Sequence, residues 1–95
     1  MYARVTHYQL KPESIEQAKA DLEKLKPRIM AMPGMIKFIN SVNDDGSGCV
    51  VSLVESKETS DANAEAVLAM WNEFKDHLKS APIAKGFEVF ADWGN

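Results

Sequence analysis

Six consecutive residues, Asn43-Asp44-Asp45-Gly46-Ser47-Gly48, divide two short runs rich in β-branched and apolar side chains. Residues of this kind tolerate the positive φ angles of tight turns. With residues 35–42 before them and residues 49–55 after, they predict a β-hairpin. Two helical stripes flank that hairpin. Ahead of it, Ile15, Ala18, Leu22, Leu25, Ile29 and Met32 recur in steps of three and four, which is one face of a helix. Behind it, Val67, Met70, Trp71, Phe74, Leu78 and Ala81 fall in a sector of roughly 100° when each residue turns the helix by about 100°.

The ends of these elements carry their own signals. Lys11-Pro12-Glu13-Ser14 opens the first helix, where the missing Pro N–H costs nothing and Glu13 and Glu16 suit the positive end of the dipole. Pro27 falls inside the stripe and predicts a kink or a division into two pieces. Met32-Pro33-Gly34 closes the element. Thr59, Ser60 or Asp61 can cap the second helix, which should end near Ser80-Ala81-Pro82. Residues 2–10 predict the first strand. Ala3, Val5, His7 and Gln9 share one face, and Tyr2, Arg4, Thr6, Tyr8 and Leu10 share the other. Residues 86–93 predict the last strand.

The order is β-α-β-β-α-β within one domain of 95 residues. That is the ferredoxin-like α+β plan: a four-stranded antiparallel sheet with both helices on one face. The sheet's other face is left open, yet the strands are apolar on both sides, as with Ile36, Phe38 and Val42 against Met35 and Ile39. An apolar face of this size is an association site. A second copy packed sheet to sheet, in a two-fold homodimer, would enclose a barrel-like core.

Charge and composition remove several function classes. Eleven Lys and Arg against fourteen Asp and Glu leave a net charge of −3. The basic residues Lys19, Lys24, Lys26 and Arg28 are interleaved with Glu16, Asp21 and Glu23, so no basic stripe for nucleic acid exists. No apolar run approaches the roughly 20 residues of a membrane helix. The single cysteine, Cys49, cannot close an internal disulfide, and with no apolar, positively charged leader the expectation is a reducing, cytoplasmic setting. No His, Asp and Glu cluster has metal spacing, and no Gly-rich phosphate loop or serine elbow occurs, so no metal or cofactor is expected.

Laid out this way, the chain resembles the antibiotic biosynthesis monooxygenase-like (ABM) proteins of the dimeric α+β barrel superfamily. The resemblance rests on a first strand ending in Leu10-Lys11-Pro12 and a helix ending in Met32-Pro33-Gly34-Met35. A hairpin follows, and then a helix with Trp71 and Asp76-His77-Leu78 ahead of the last strand. It implies a homodimer with a pocket in each protomer, between the open sheet face and the helices. Members include cofactor-free oxygenases of phenolic and quinol-like substrates, haem-degrading enzymes and isomerases. In the haem-degrading branch a helix Trp and His act with an Asn on the first strand. Here the Trp–His spacing is shorter, and Thr6 stands at the position of that Asn. Both departures argue against haem degradation.

His77 is the candidate catalytic residue. Helical geometry puts it about 65° from the centre of the apolar stripe, where an imidazole could accept a proton from a phenol or quinol. The alternative is a half-buried His bonded to a backbone carbonyl. Trp71, six residues earlier, would point about 120° away from it. Trp71 and Phe74 are candidates for the wall of a substrate pocket, or for core. Arg4 and Tyr8 could orient a phenolate or carboxylate by hydrogen bonds, or could serve cross-strand packing. His7 lies on the opposite face of that strand.

Three functions stand open, the first put forward by the resemblance, since the residues themselves do not separate the first two. The first is a cofactor-independent monooxygenase-like enzyme acting on a small aromatic or quinol-like molecule. The second is a non-catalytic dimer holding a small apolar ligand. The third is a purely structural dimer, which a cavity smaller than about 300 Å³ would favour.

Overall fold

The computed structural model describes residues 1–95. Strands β1 (Tyr2–Gln9), β2 (Met35–Val42), β3 (Ser47–Val54) and β4 (Ile83–Glu88) form one antiparallel sheet in the order β2-β3-β1-β4. Helices α1 (Ile15–Met30), α2 (Lys57–Ala62) and α3 (Ala64–Glu73) pack on one face. This is the ferredoxin-like α+β arrangement that the order of elements predicts.

The hairpin forms where expected, with a shorter turn. Gly46 sits at φ 89°, its N–H donates to Asn43 O, and Asn43 N–H donates to Ser47 O. The Asp45 carboxylate accepts from the N–H and the hydroxyl of Ser47. Ser47 and Gly48 therefore belong to β3. A bulge between Met35 and Lys37 interrupts the alternation of β2. In consequence Met35 and Phe38 both pack against Leu25, Ile29 and Met70, while Ile36 turns out to solvent. The expected grouping of Ile36 with Phe38 fails for this reason: an extra residue in a strand reverses the faces before it.

Pro27 does not divide α1, which runs unbroken to Met30. The proline lies in the last turn, and the acceptor its missing N–H leaves free belongs to exposed Glu23, on the solvent side. The second helix starts earlier than Thr59, Ser60 or Asp61. Ser56 is its cap, its side chain accepting the Thr59 N–H at 3.1 Å. The helix is also broken, at Asn63. That side chain is buried and donates to Pro33 O at 2.9 Å, tying the break to the loop before β2. The α-helix stops at Glu73, and residues 75–77 continue as a single 3-10 turn.

The last strand is displaced from the expected 86–93 to Ile83–Glu88. Its register explains why. Glu88 pairs with Tyr2, the first residue of β1, and only the Val89 N–H to Met1 O bond lies beyond. Past that point the chain offers no strand to pair with. Phe90 and Trp93 are left almost fully exposed.

Candidate functional site

Alternation decides which side of β1 meets the helices. Arg4, Thr6, Tyr8 and Leu10 face α1 and α3 and line a cavity, while Ala3, Val5 and His7 lie on the open face. The cavity thus lies between the helix-covered sheet face and the helices. The open face implied by the resemblance does not line it, because the even-numbered residues of β1 are those beneath the helices. Its volume is about 170 Å³. An engineered apolar cavity of about 150 Å³ in another protein holds benzene, so this one matches a single six-membered ring. It is smaller than the roughly 300 Å³ of ordinary ligand pockets, so by size alone it favours the purely structural dimer among the three expected functions.

The wall is mostly apolar. Leu22, Leu25 and Ile29 of α1 face Phe38, Val42 and Val50 of the sheet, and Met70 and Trp71 of α3, with Phe74 just after it, line the side. The aromatic rings form a continuous series. Tyr8 and Trp71 are 5.5 Å apart, Trp71 and Phe74 6.4 Å, and Phe74 and His77 6.1 Å, in the tilted and edge-on arrangements that ring quadrupoles favour. Tyr8 lies across Gly48, its register partner, where any Cβ would meet its ring. Its hydroxyl donates to Asn40 Oδ1 at 2.6 Å, and burial raises its pKa above the ordinary phenol value.

Arg4 is the unusual member. Its Nε is buried in the cavity region without a hydrogen-bond partner, and Arg4 takes part in none of the four ion pairs of the chain. Its neighbours across the sheet are Ser52 and Gly86. Lys19 also reaches the cavity, and no carboxylate lines it.

Four of the five expected site residues, Arg4, Tyr8, Trp71 and Phe74, come together around this cavity. The fifth, His77, sits beside it. The 3-10 turn that carries it follows the end of α3, so rotation by a fixed angle per residue does not hold this far. His77 Nε2 lies 2.9 Å from Asp21 Oδ2 on α1, and His77 O accepts the Lys11 N–H. One residue thus joins the end of β1, α1 and the turn after α3. The bond to His77 holds the Asp21 carboxyl below the usual carboxylate range, with help from the Gln17 amide. Asp21 and Asn40 were not among the expected residues. Asn40 carries a readable signal: it is the polar member of an apolar alternation with Phe38 and Val42.

No family model matches the sequence, and neither does any curated protein. Solved structures do match, and they define the fold class: this chain has the fold of the ABM-like proteins. An antibiotic biosynthesis monooxygenase superposes with a TM-score of 0.77, at 14% identity, over 96% of this chain and 100% of its own. A protein of unknown function from Nitrosomonas europaea gives 0.82, at 16% identity, over 99% and 93%. A variant of MhuD, with two manganese protoporphyrin IX molecules bound per active site, gives 0.79 at 18% identity over 100% of both chains. A porphyrin does not suit the site here. The cavity of about 170 Å³ is sized for one ring, no histidine lines it, and His77 Nε2 is committed to Asp21.

Proposed function

We propose that this chain binds a small single-ring aromatic or quinol-like molecule in the cavity and oxidises it as a cofactor-independent monooxygenase-like enzyme. The observation that supports this reading best is the half-open, mostly apolar cavity of about 170 Å³, with Arg4 and Tyr8 on its sheet wall and Trp71 and Phe74 on its helix wall. In such a reaction the substrate is its own reductant. A base removes a proton from an activated CH₂, and the carbanion adds to O₂. The resulting hydroperoxide then loses water to leave C=O. One oxygen atom enters the product, the other leaves in water, and all four electrons come from the substrate carbon. His77, oriented by Asp21 and in ring contact with Phe74, is the proposed base.

The test is oxygen uptake matched to product formation, above the rate without protein. Turnover in His77→Ala should fall at least about a hundredfold while the far-UV spectrum stays native. Unchanged turnover would remove His77 from the mechanism. A second reading has its own support: His77 lies outside the cavity lining and spends one ring nitrogen on Asp21. In that reading the protein holds its ligand without reacting, and a ligand recovered unaltered after long incubation in air would favour it.

The proposal includes a homodimer through the open sheet face, where Val5, Ile39, Val51 and Phe87 are grouped by strand register. The chain exposes 6356 Å² at 10.6 kDa. Folded monomers of this mass average about 5,500 Å². The excess is close to the roughly 800 Å² that each partner buries in a standard interface. No helix is long and apolar enough to cross a membrane, and the free thiol of Cys49 suits a cytoplasmic setting.

A further inference from the structure

We infer that the cavity selects an anionic single-ring ligand, with a carboxylate or an ionised phenol oxygen placed on Arg4. This rests on the cavity being a binding site, as proposed above, and adds the chemical class of what enters it. Three observations carry it. The first is the buried Nε of Arg4, which has no acceptor anywhere in the chain. A guanidinium is planar, always charged and carries five donors, and a donor such as this Nε left unpaired away from water is costly. Proteins pair such groups as a rule.

The second is the charge of the wall. Arg4 and Lys19 both line the cavity and no Asp or Glu does. The Lys19 ammonium already has Glu16 at 3.3 Å, whereas Arg4 has no counter-ion. The unpaired charge is therefore the one held on the rigid strand. The third is shape. Across the sheet, Arg4 faces Gly86 on β4 and Ser52 on β3. The Tyr2 ring fills the place beside Gly86, whereas on the β3 side the small Ser52 lines the cavity and its hydroxyl is a further donor beside the guanidinium. The opposite wall is Trp71 and Phe74, which suits the face of a ring. An anion at one end and an aromatic body at the other describe the ligand.

The experiment compares benzoate with its neutral isostere benzamide by calorimetric titration at pH 7, and adds 4-nitrophenol at pH 8.5 as the ionised phenol. Wild-type protein should bind benzoate at least about tenfold more tightly than benzamide, the ordinary worth of a charged hydrogen bond. Arg4→Met keeps the aliphatic stem and should lose that preference, with benzamide affinity within about twofold of wild type. Arg4→Lys should retain part of it. 4-Nitrophenol binding as tightly as benzoate would assign the site to any ring anion. Much weaker binding would assign it to carboxylates. Equal binding of benzoate and benzamide to wild type, or a preference that survives Arg4→Met, would overturn the inference and leave the cavity as a neutral aromatic site. If none of the three rings binds wild type, the cavity reading itself falls. The wild-type comparison stands even if Arg4→Met does not fold.

Discussion

The Asp21–His77 contact at 2.9 Å makes a pH dependence that belongs to single residues. The folded-state pKa of Asp21 is depressed, chiefly by the hydrogen bond from His77. A depressed carboxylate contributes stability that is full above its unfolded value, about 3.9. That contribution is lost as pH falls through the lower folded value. The melting temperature should therefore fall on acidification below about pH 4, and Asp21→Asn should fall less steeply over that window. Asp45 is depressed as well, first by the Ser47 hydroxyl, so some slope remains in the variant. Thermal melts followed by circular dichroism between pH 7 and pH 2 would check this. Parallel curves for the two proteins would show that the bond contributes nothing. The pairing of Asp21 with His77, and of Tyr8 with Asn40, is not legible in the chain. Asp21 and His77 are 56 residues apart and Tyr8 and Asn40 are 32 apart. Side chains that distant in sequence meet only once helices and strands have packed.

Among the elements, the divided second helix is the most informative. Its start at Ser56 is local chemistry, a hydroxyl satisfying the free Thr59 N–H. Ser56→Ala should therefore cost about 1 kcal/mol, read as a shift of the urea midpoint without change in slope. An unmoved midpoint would show that the cap contributes nothing, and a change in slope would show that the substitution altered the surface exposed on unfolding instead. The interruption at Asn63 has another origin. Its amide is held by Pro33 O, a group 30 residues away, so the break is imposed by the loop beneath it. The same contrast holds for Pro27. A proline in a helical stripe signals disruption, yet near the end of α1 only one solvent-facing acceptor is lost and the helix continues. β4 ends where β1 begins, a limit set by the partner strand and invisible in residues 86–93 themselves.

For the whole molecule, the thin interior is the controlling fact. Only 12 of 95 residues are buried, and no large side chain is completely enclosed. One face of the sheet carries the helices and the cavity. The other presents Ile39, Ile83 and Phe87 at 44%, 73% and 47% exposure. A homodimer through that face would enclose them. Sedimentation velocity should then give a species of twice the chain mass, and Val51→Glu, central on the open face, should shift it to monomer. A monomeric wild-type protein would show that the face is covered in some other way. Since Val51 lies on the face opposite the cavity, ring binding measured on the Val51→Glu monomer also asks whether a lone protomer holds the ligand.

Much of the fold was settled locally. Periodicities of two and 3.6, one turn of Asn, Asp and Gly, and the order of the segments lead to a ferredoxin-like sheet with helices on one side, because each rests on neighbours within a few residues. The same alternation placed Arg4 and Tyr8 together on β1, and the helical stripe placed Trp71 and Phe74 together. What tertiary structure decided was everything that depends on a distant partner. It chose which face of β1 lies beneath the helices, ended β4 at Glu88, broke the second helix at Asn63 and paired His77 with Asp21. It also left Arg4 in an apolar cavity without a counter-ion. Charge pairing is a property of three-dimensional neighbourhood, and no spacing along the chain encodes its absence.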